Sequence, residues 1–164
     1  MNWHRNCKKQ TDRNSIGGIR FMSISVLYWS GTGNTQAMAE AIAKGIEAAG
    51  QEAKILTFAE ANPEEVLTEQ AFALGCPSMG AEELEDMEVE PFVSKIEGSI
   101  SGKKILLFGS YGWGDGEWMR EWEERMKTAG AIIVKDAGVI ANEAPDEEAV
   151  AALKEAGKEL ASLA

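Results

Sequence analysis

Residues 27–46 read LYWSGTGNTQAMAEAIAKGI. Leu27, Tyr28 and Trp29 close an apolar, β-rich run. From Thr35 onward, Met38, Ile42 and Ile46 recur at helical spacing. Between strand and helix lie Ser30, Gly31, Thr32, Gly33, Asn34 and Thr35, with three hydroxyls, one amide and no charge. A helix N-terminus leaves backbone N–H groups without partners and carries the positive end of the helix dipole, so it attracts anions. The glycines let an anion approach the backbone, and the neutral side chains add donors. Capping the helix would need one hydroxyl, not three. No Gly-Lys-Ser/Thr follows, which excludes a nucleoside-triphosphatase loop, and the three spaced glycines of a dinucleotide loop are missing as well. The pattern suits a monophosphate held as a permanent group.

Outward from this turn the chain alternates strand and helix. Strands are expected at 24–29, 52–58, 71–76, 103–110 and 131–140. Helices are expected at 35–50, from Pro63, at 117–130 and at 146–164. Most of the strands are too apolar to have a wet face. The pattern predicts an α/β, doubly wound, five-stranded parallel sheet with helices on both faces. Ligands of such sheets sit beyond the carboxyl ends of the strands. The segments leaving the first, third and fourth strands, 30–35, 77–84 and 111–116, are the three least regular in the chain. The second contributes Met79, Gly80 and Glu82, and the third Tyr111 and Trp113 among glycines. A planar ligand between Met79 and Trp113 would gain stacking and dispersion on both faces.

Composition sets the outer bounds. The 164 residues suit one domain, and 45% are hydrophobic. No apolar run is long enough to span a bilayer. Cys7 and Cys76 form neither a disulfide framework nor a zinc spacing, which fits a reducing cytoplasm. Cys76, on an apolar strand without a partner, reads as a buried structural thiol. Residues 1–21 carry five basic residues against Asp12, so the remainder has a net charge of −15. That field disfavours nucleic acid and anionic membrane, and steers basic protein partners. Residues 1–21 lack any period or apolar signal core, and Met22 stands immediately before the first strand. They read as a non-native or disordered extension ahead of a folded domain spanning 22–164, as a ribosome-binding sequence translated in frame would produce. The sole histidine, His4, falls in that extension.

The strings VLYWSGTGNT (26–35), GCPSMG (75–80), SGKKILLFGSYGWGDGEWM (101–119) and NEAPDE (142–147) resemble the short-chain flavodoxins of clostridia and rumen anaerobes. The resemblance runs from Met22 to the C-terminus. It implies a flavodoxin-like sheet of strand order 2-1-3-4-5, a bound FMN, a monomer, and one-electron traffic with redox enzymes that present basic docking patches. It implies further that Ser30, Thr32, Asn34 and Thr35, with Gly31 and Gly33, hold the phosphate. Met79 and Trp113 would flank the ring, and the Gly80 carbonyl would accept from N5–H after reduction. Glu82 would accept from N3–H, and Gly112, Trp113 and Gly114 would face the N1/O2 edge. Pro77, Ser78, Ala81, Ser110 and Tyr111 complete the implied cofactor set. Ala81 stands where relatives often have Asp or Ser, and Pro77 where some have a hydroxyl, with Ser78 as its substitute. The family's carriers shuttle between semiquinone and hydroquinone, and an acidic wall would make the second couple strongly reducing. An FMN-dependent NAD(P)H quinone reductase of the same fold is the alternative, and this chain has no spare segment for its substrate pocket. A receiver domain is excluded, since the acidic pair, Asp and Lys it needs are missing.

Overall fold

Three segments rich in Ile, Val, Leu and Phe form the centre of the sheet: β1 (Ser23–Tyr28), β3 (Ala71–Gly75) and β4 (Lys104–Tyr111). The computed structural model describes residues 23–164, so the readings of residues 1–21 as an extension and of Met22 as the start lie outside the described residues. β2 (Glu52–Thr57) pairs in parallel with the free side of β1 and forms one edge, where Ile55 and its neighbours are partly exposed. The strand order is β2-β1-β3-β4-β5, with every pairing parallel.

Side chains alternate between the two faces with the period of two that a pleated strand imposes. Phe72, Leu74, Ile105 and Leu107 enter one core cluster, and Ala71, Ala73, Leu106 and Phe108 the other. The first cluster is covered by α2 (Pro63–Val66), α3 (Val89–Ile96) and α4 (Glu117–Thr128). The second is covered by α1 (Asn34–Ala48) and α5 (Glu147–Leu163), which contribute Met38, Ile42, Ile46, Leu153, Ala156 and Leu160. Both faces are therefore dry, as the strand composition predicts.

Two expectations need correction. The fifth strand is broken: β5 (Ile132–Ile133) pairs with the start of β4, and β6 (Val139–Asn142) pairs with its end. Between them Lys135 and Asp136 adopt left-handed φ values of 65° and 64°, which lift the chain off the ladder. Lys127 Nζ donates to the Asp136 carbonyl and the Gly138 N–H to Glu123, so side chains of α4 hold the detour. The second correction is α3, a stretch to which the sequence reading assigns no element. Val89, Phe92, Val93 and Ile96 are all buried at i, i+3, i+4 and i+7. Eight residues with Pro91 in the first turn make that signal short, but Pro is tolerated there because its N–H would lack a partner anyway.

Candidate functional site

The carboxyl ends of β1, β3 and β4 converge on a cavity of ≈ 350 Å³, a volume within the usual range for cofactor sites. Three segments line it: Trp29, Gly31, Thr32 and Asn34 after β1; Pro77, Ser78 and Met79 after β3; Ser110, Tyr111 and Gly112 at the end of β4. Glu143, just after β6, closes the rim, and its N–H donates to the Tyr111 carbonyl.

The first wall is built locally. Gly33 caps α1 with φ 93°, and its N–H donates to Ser30 Oγ at 2.9 Å, curling the loop over the helix end. Ser30 thus shapes the loop, and Gly33 sets its turn. The first turn of α1 contains no acidic residue. Among the described residues nothing accepts from the N–H groups of Asn34, Thr35 and Gln36, which are available to an anion. Thr35 is set back: its hydroxyl lies 3.0 Å from Ser110 Oγ, and both residues are buried. That pair ties the 30–35 loop to β4.

The second and third walls depend on contacts between distant segments. The Ser78 N–H donates to the Ser110 carbonyl, joining the two loops at their bases. Met79 and Glu83 pair across a tight turn, each N–H donating to the other's carbonyl. Gly80 at the tip has φ 47°, in the left-handed region that glycine enters at little cost. A Cβ there would meet nothing within 4 Å, so the demand for glycine is conformational and not steric. Ala81 is exposed beside it. Glu82 also has positive φ, 55°, and is only 8% exposed. Its Oε1 accepts from the Glu117 N–H at 3.0 Å, so the carboxylate caps α4 and bridges the turn to the 112–116 loop. Gly114 packs beneath that carboxylate; a Cβ at Gly114 would lie 2.7 Å from Glu82 Oε1.

Trp113 does not line the cavity. It is 65% exposed, an aromatic plate presented on the loop beside Gly112 and Gly114. Trp29 does line it, and sequence reasoning missed this residue. Its ring lies over Gly31, 3.4 Å from where a Cβ would be. The signal was its position at the carboxyl end of β1, one residue before the loop. Of the seventeen residues the resemblance implies, the structure brings nine to the cavity wall. Ser30, Gly33, Thr35, Gly80, Ala81, Glu82, Trp113 and Gly114 stand behind or beside it.

Electrostatics around the site are acidic. The loops themselves contain Glu82, Glu83, Asp115 and Glu143 but no cation, and the neighbouring Arg120 on α4 is paired with Asp115 at 3.0 Å. The hydrogen bond from Arg120 to Asp115 pushes the guanidinium further above its ordinary range. Cys76, under the turn, is buried, and burial pushes its thiol up to about 12. It is a neutral structural thiol at physiological pH, as its apolar strand predicts. Among the described residues no group of carboxylates, cysteines or histidines could hold a metal ion, and no helix is long and apolar enough to cross a membrane.

The chain is similar to several known proteins. The family model for flavodoxin matches residues 26–156. The flavodoxin of Clostridium beijerinckii is 48% identical over 140 residues, covering 85% of this chain and 100% of the relative. That of Megasphaera elsdenii is 47% identical over 123 residues, covering 75% and 88%. The solution structure of two-electron reduced Megasphaera elsdenii flavodoxin superimposes with a TM-score of 0.78 at 44% identity, over 86% of this chain and 99% of that one.

Proposed function

The chain belongs to the flavodoxin family, and from that premise we propose how its own residues hold FMN and bias its potential. It is an FMN-bound electron carrier, not a substrate-converting enzyme. Bound FMN supplies the one-electron chemistry, while the protein binds, orients and surrounds it.

The observation that carries the residue-level reading is the convergence of an acid-free helix N-terminus and two glycine-rich loops on one cavity. The donor set fits a phosphate: backbone N–H groups of Asn34, Thr35 and Gln36, with Thr32 Oγ1 and the Asn34 amide beside them. The N-terminus of α1 favours the dianion without a cation, each such contact contributing about 0.3–1 kcal/mol. Met79 and Tyr111 on the walls, and Trp29 beside them, offer apolar surface to a flat ring. Trp113 stands where it can cover the ring's outer face. Gly80 keeps its carbonyl able to turn toward a proton donor on the ring, because glycine crosses into positive φ at little cost.

The acidic surroundings oppose extra negative charge at the ring. One carboxylate at about 8 Å contributes roughly 0.5–2 kcal/mol for effective dielectrics between 80 and 20. Several such contributions make the more reduced couple low in potential. The same charge selects redox enzymes with basic docking patches, which a monomeric carrier in a reducing cytoplasm would meet through long-range attraction. Electron-transfer rates should then fall steeply between low and physiological ionic strength.

The decisive experiment compares FMN with riboflavin, which has the same ring and no phosphate. The protein should be yellow, release FMN in acid, and rebind FMN at least about 100-fold more tightly than riboflavin, as loss of several phosphate contacts requires. Equal affinities for the two would overturn the assignment of the 30–35 loop.

A further inference from the structure

The segment carrying the Gly80 turn is closed at its base by two residues that the cavity does not touch. The Glu85 N–H donates to Cys76 Sγ at 3.4 Å, and that sulfur donates in turn to the Pro77 carbonyl. The Glu85 carboxylate, in a residue 5% exposed, accepts three backbone N–H bonds. They come from Met87 at 2.8 Å, Glu88 at 2.7 Å and Val89 at 3.1 Å, where α3 begins. On the other side, the Cys76 N–H donates to the Phe108 carbonyl, and the Cys76 carbonyl accepts from Trp118 Nε1 at 3.0 Å. One end of the segment is therefore fastened to β4 and α4, the other to the N-terminus of α3.

Inside this frame, the Met79–Glu83 pair forms a second closure. Among the described residues no backbone hydrogen bond anchors the peptide groups of Gly80, Ala81 and Glu82. Backbone freedom is thus confined to these peptides, the Glu82 side chain being held by the Glu117 N–H, and is removed from both sides of them. We infer that Glu85, acting through its clasp with Cys76, is a positioning residue that confines movement of the cofactor turn to Gly80, Ala81 and Glu82. Glu85 does not line the cavity; it acts through the turn. Cys76 serves by accepting a hydrogen bond, which a protonated thiol in an apolar pocket can do without redox chemistry.

The consequence for electron transfer rests on the proposed FMN site; the mechanical claim does not. Hydrogen exchange of the flavin-free full chain tests the mechanics. Glu85→Gln keeps the shape but sets an amide NH₂ against backbone donors. It should speed exchange of the Met79 and Glu83 amides about tenfold, the factor for one partly buried hydrogen bond lost, beyond any change at Leu106 in β4. Cys76→Ala removes only the sulfur acceptor and should act in the same direction, which keeps the inference testable if Glu85→Gln folds poorly. Flavin-loaded Glu85→Gln should show a narrower gap between the two one-electron potentials, with FMN affinity within about threefold of the parent because the phosphate loop is untouched. Glu97→Gln, which removes one partner of Arg125 at the C-terminal end of α3, should change neither reading. Exchange accelerated equally at Leu106 and in the turn, or unchanged in the turn, would overturn the clasp. An unchanged potential gap would overturn its role in electron transfer. A parent chain that failed to bind FMN would overturn the site reading instead, and the exchange result would stand.

Discussion

The two halves of the proposed cofactor site are built by different physics. The 30–35 loop is a local structure. Its internal contact spans three residues, from Gly33 N–H to Ser30 Oγ, and its expected attraction for anions follows from the helix it opens. The ring-facing loops are an assembly. Ser78 to Ser110, Glu82 to Glu117 and Cys76 to Trp118 each join segments more than thirty residues apart. The first half should therefore control whether FMN binds, and the second at what potential it works. The comparison breaks if mutations in either half change both properties equally.

The largest effect is expected at the local half. Asn34→Asp places a carboxylate in the first turn of α1, facing the anion it should attract. At a separation of about 4–5 Å and an effective dielectric near 20, the repulsion is roughly 3–4 kcal/mol, or more than 100-fold in affinity. FMN titration followed by flavin fluorescence would measure it, and potentials of the residual complex should move far less. A large change in the potential gap with intact affinity would dissolve the division between the halves.

Gly80 probes the assembled half. Thr at φ 47° is strained by of order 1–3 kcal/mol, whereas Asn tolerates left-handed backbone well. Gly80→Thr should lower the maximal fraction of half-reduced flavin in a reductive titration, with little loss of oxidised affinity. Gly80→Asn should stay near the parent. Because a Cβ has open space here, equal damage from Thr and Asn would show that the turn needs glycine for some reason other than φ.

Trp113 sharpens the comparison from the ring side. Already 65% exposed, it has little to lose in fold stability on truncation. Trp113→Ala should weaken FMN by about tenfold through lost stacking, raise the lower potential by admitting water, and leave the melting temperature nearly unchanged. Calorimetry without flavin, paired with a redox titration, separates the two effects.

Ionisation of Cys76 has the smallest effect near neutral pH and shows only in alkali. Burial pushes its thiol up to about 12 in the folded chain, above its ordinary value of 9.0. The stability from the neutral buried thiol is fully present below pH 9 and is lost as pH rises toward 12. Unfolding free energy should decline over that window, and Cys76→Ala should remove this part of the slope. Thiol reagents at neutral pH should label the folded chain slowly; rapid labelling would show that the base of the turn opens freely.

What could be read without a structure divides along the same line as the site. Alternating strand and helix patterns, apolar strands and the Ser30–Gly31–Thr32–Gly33–Asn34–Thr35 turn are local signals, and the doubly wound sheet and the proposed anion loop follow from them. The broken fifth strand was not legible, because left-handed φ at Lys135 and Asp136 has no glycine to announce it. The helix Val89–Ile96 was legible in principle from its four buried positions, but a segment that short and carrying Pro91 falls below the usual length for a clear helix pattern.

The sequence by itself determined the layer architecture, the helix-opening 30–35 loop and the acidic character, since each depends on residues near one another in the chain or on composition alone. Only the tertiary structure decided that Glu82 caps α4, that Thr35 is tied to Ser110, that Trp29 and not Trp113 lines the cavity, and that Cys76 and Glu85 close the turn. A carboxylate, hydroxyl, indole or thiol can take any of several partners. Which one it takes depends on which distant backbone group the packed sheet and helices bring within about 3 Å.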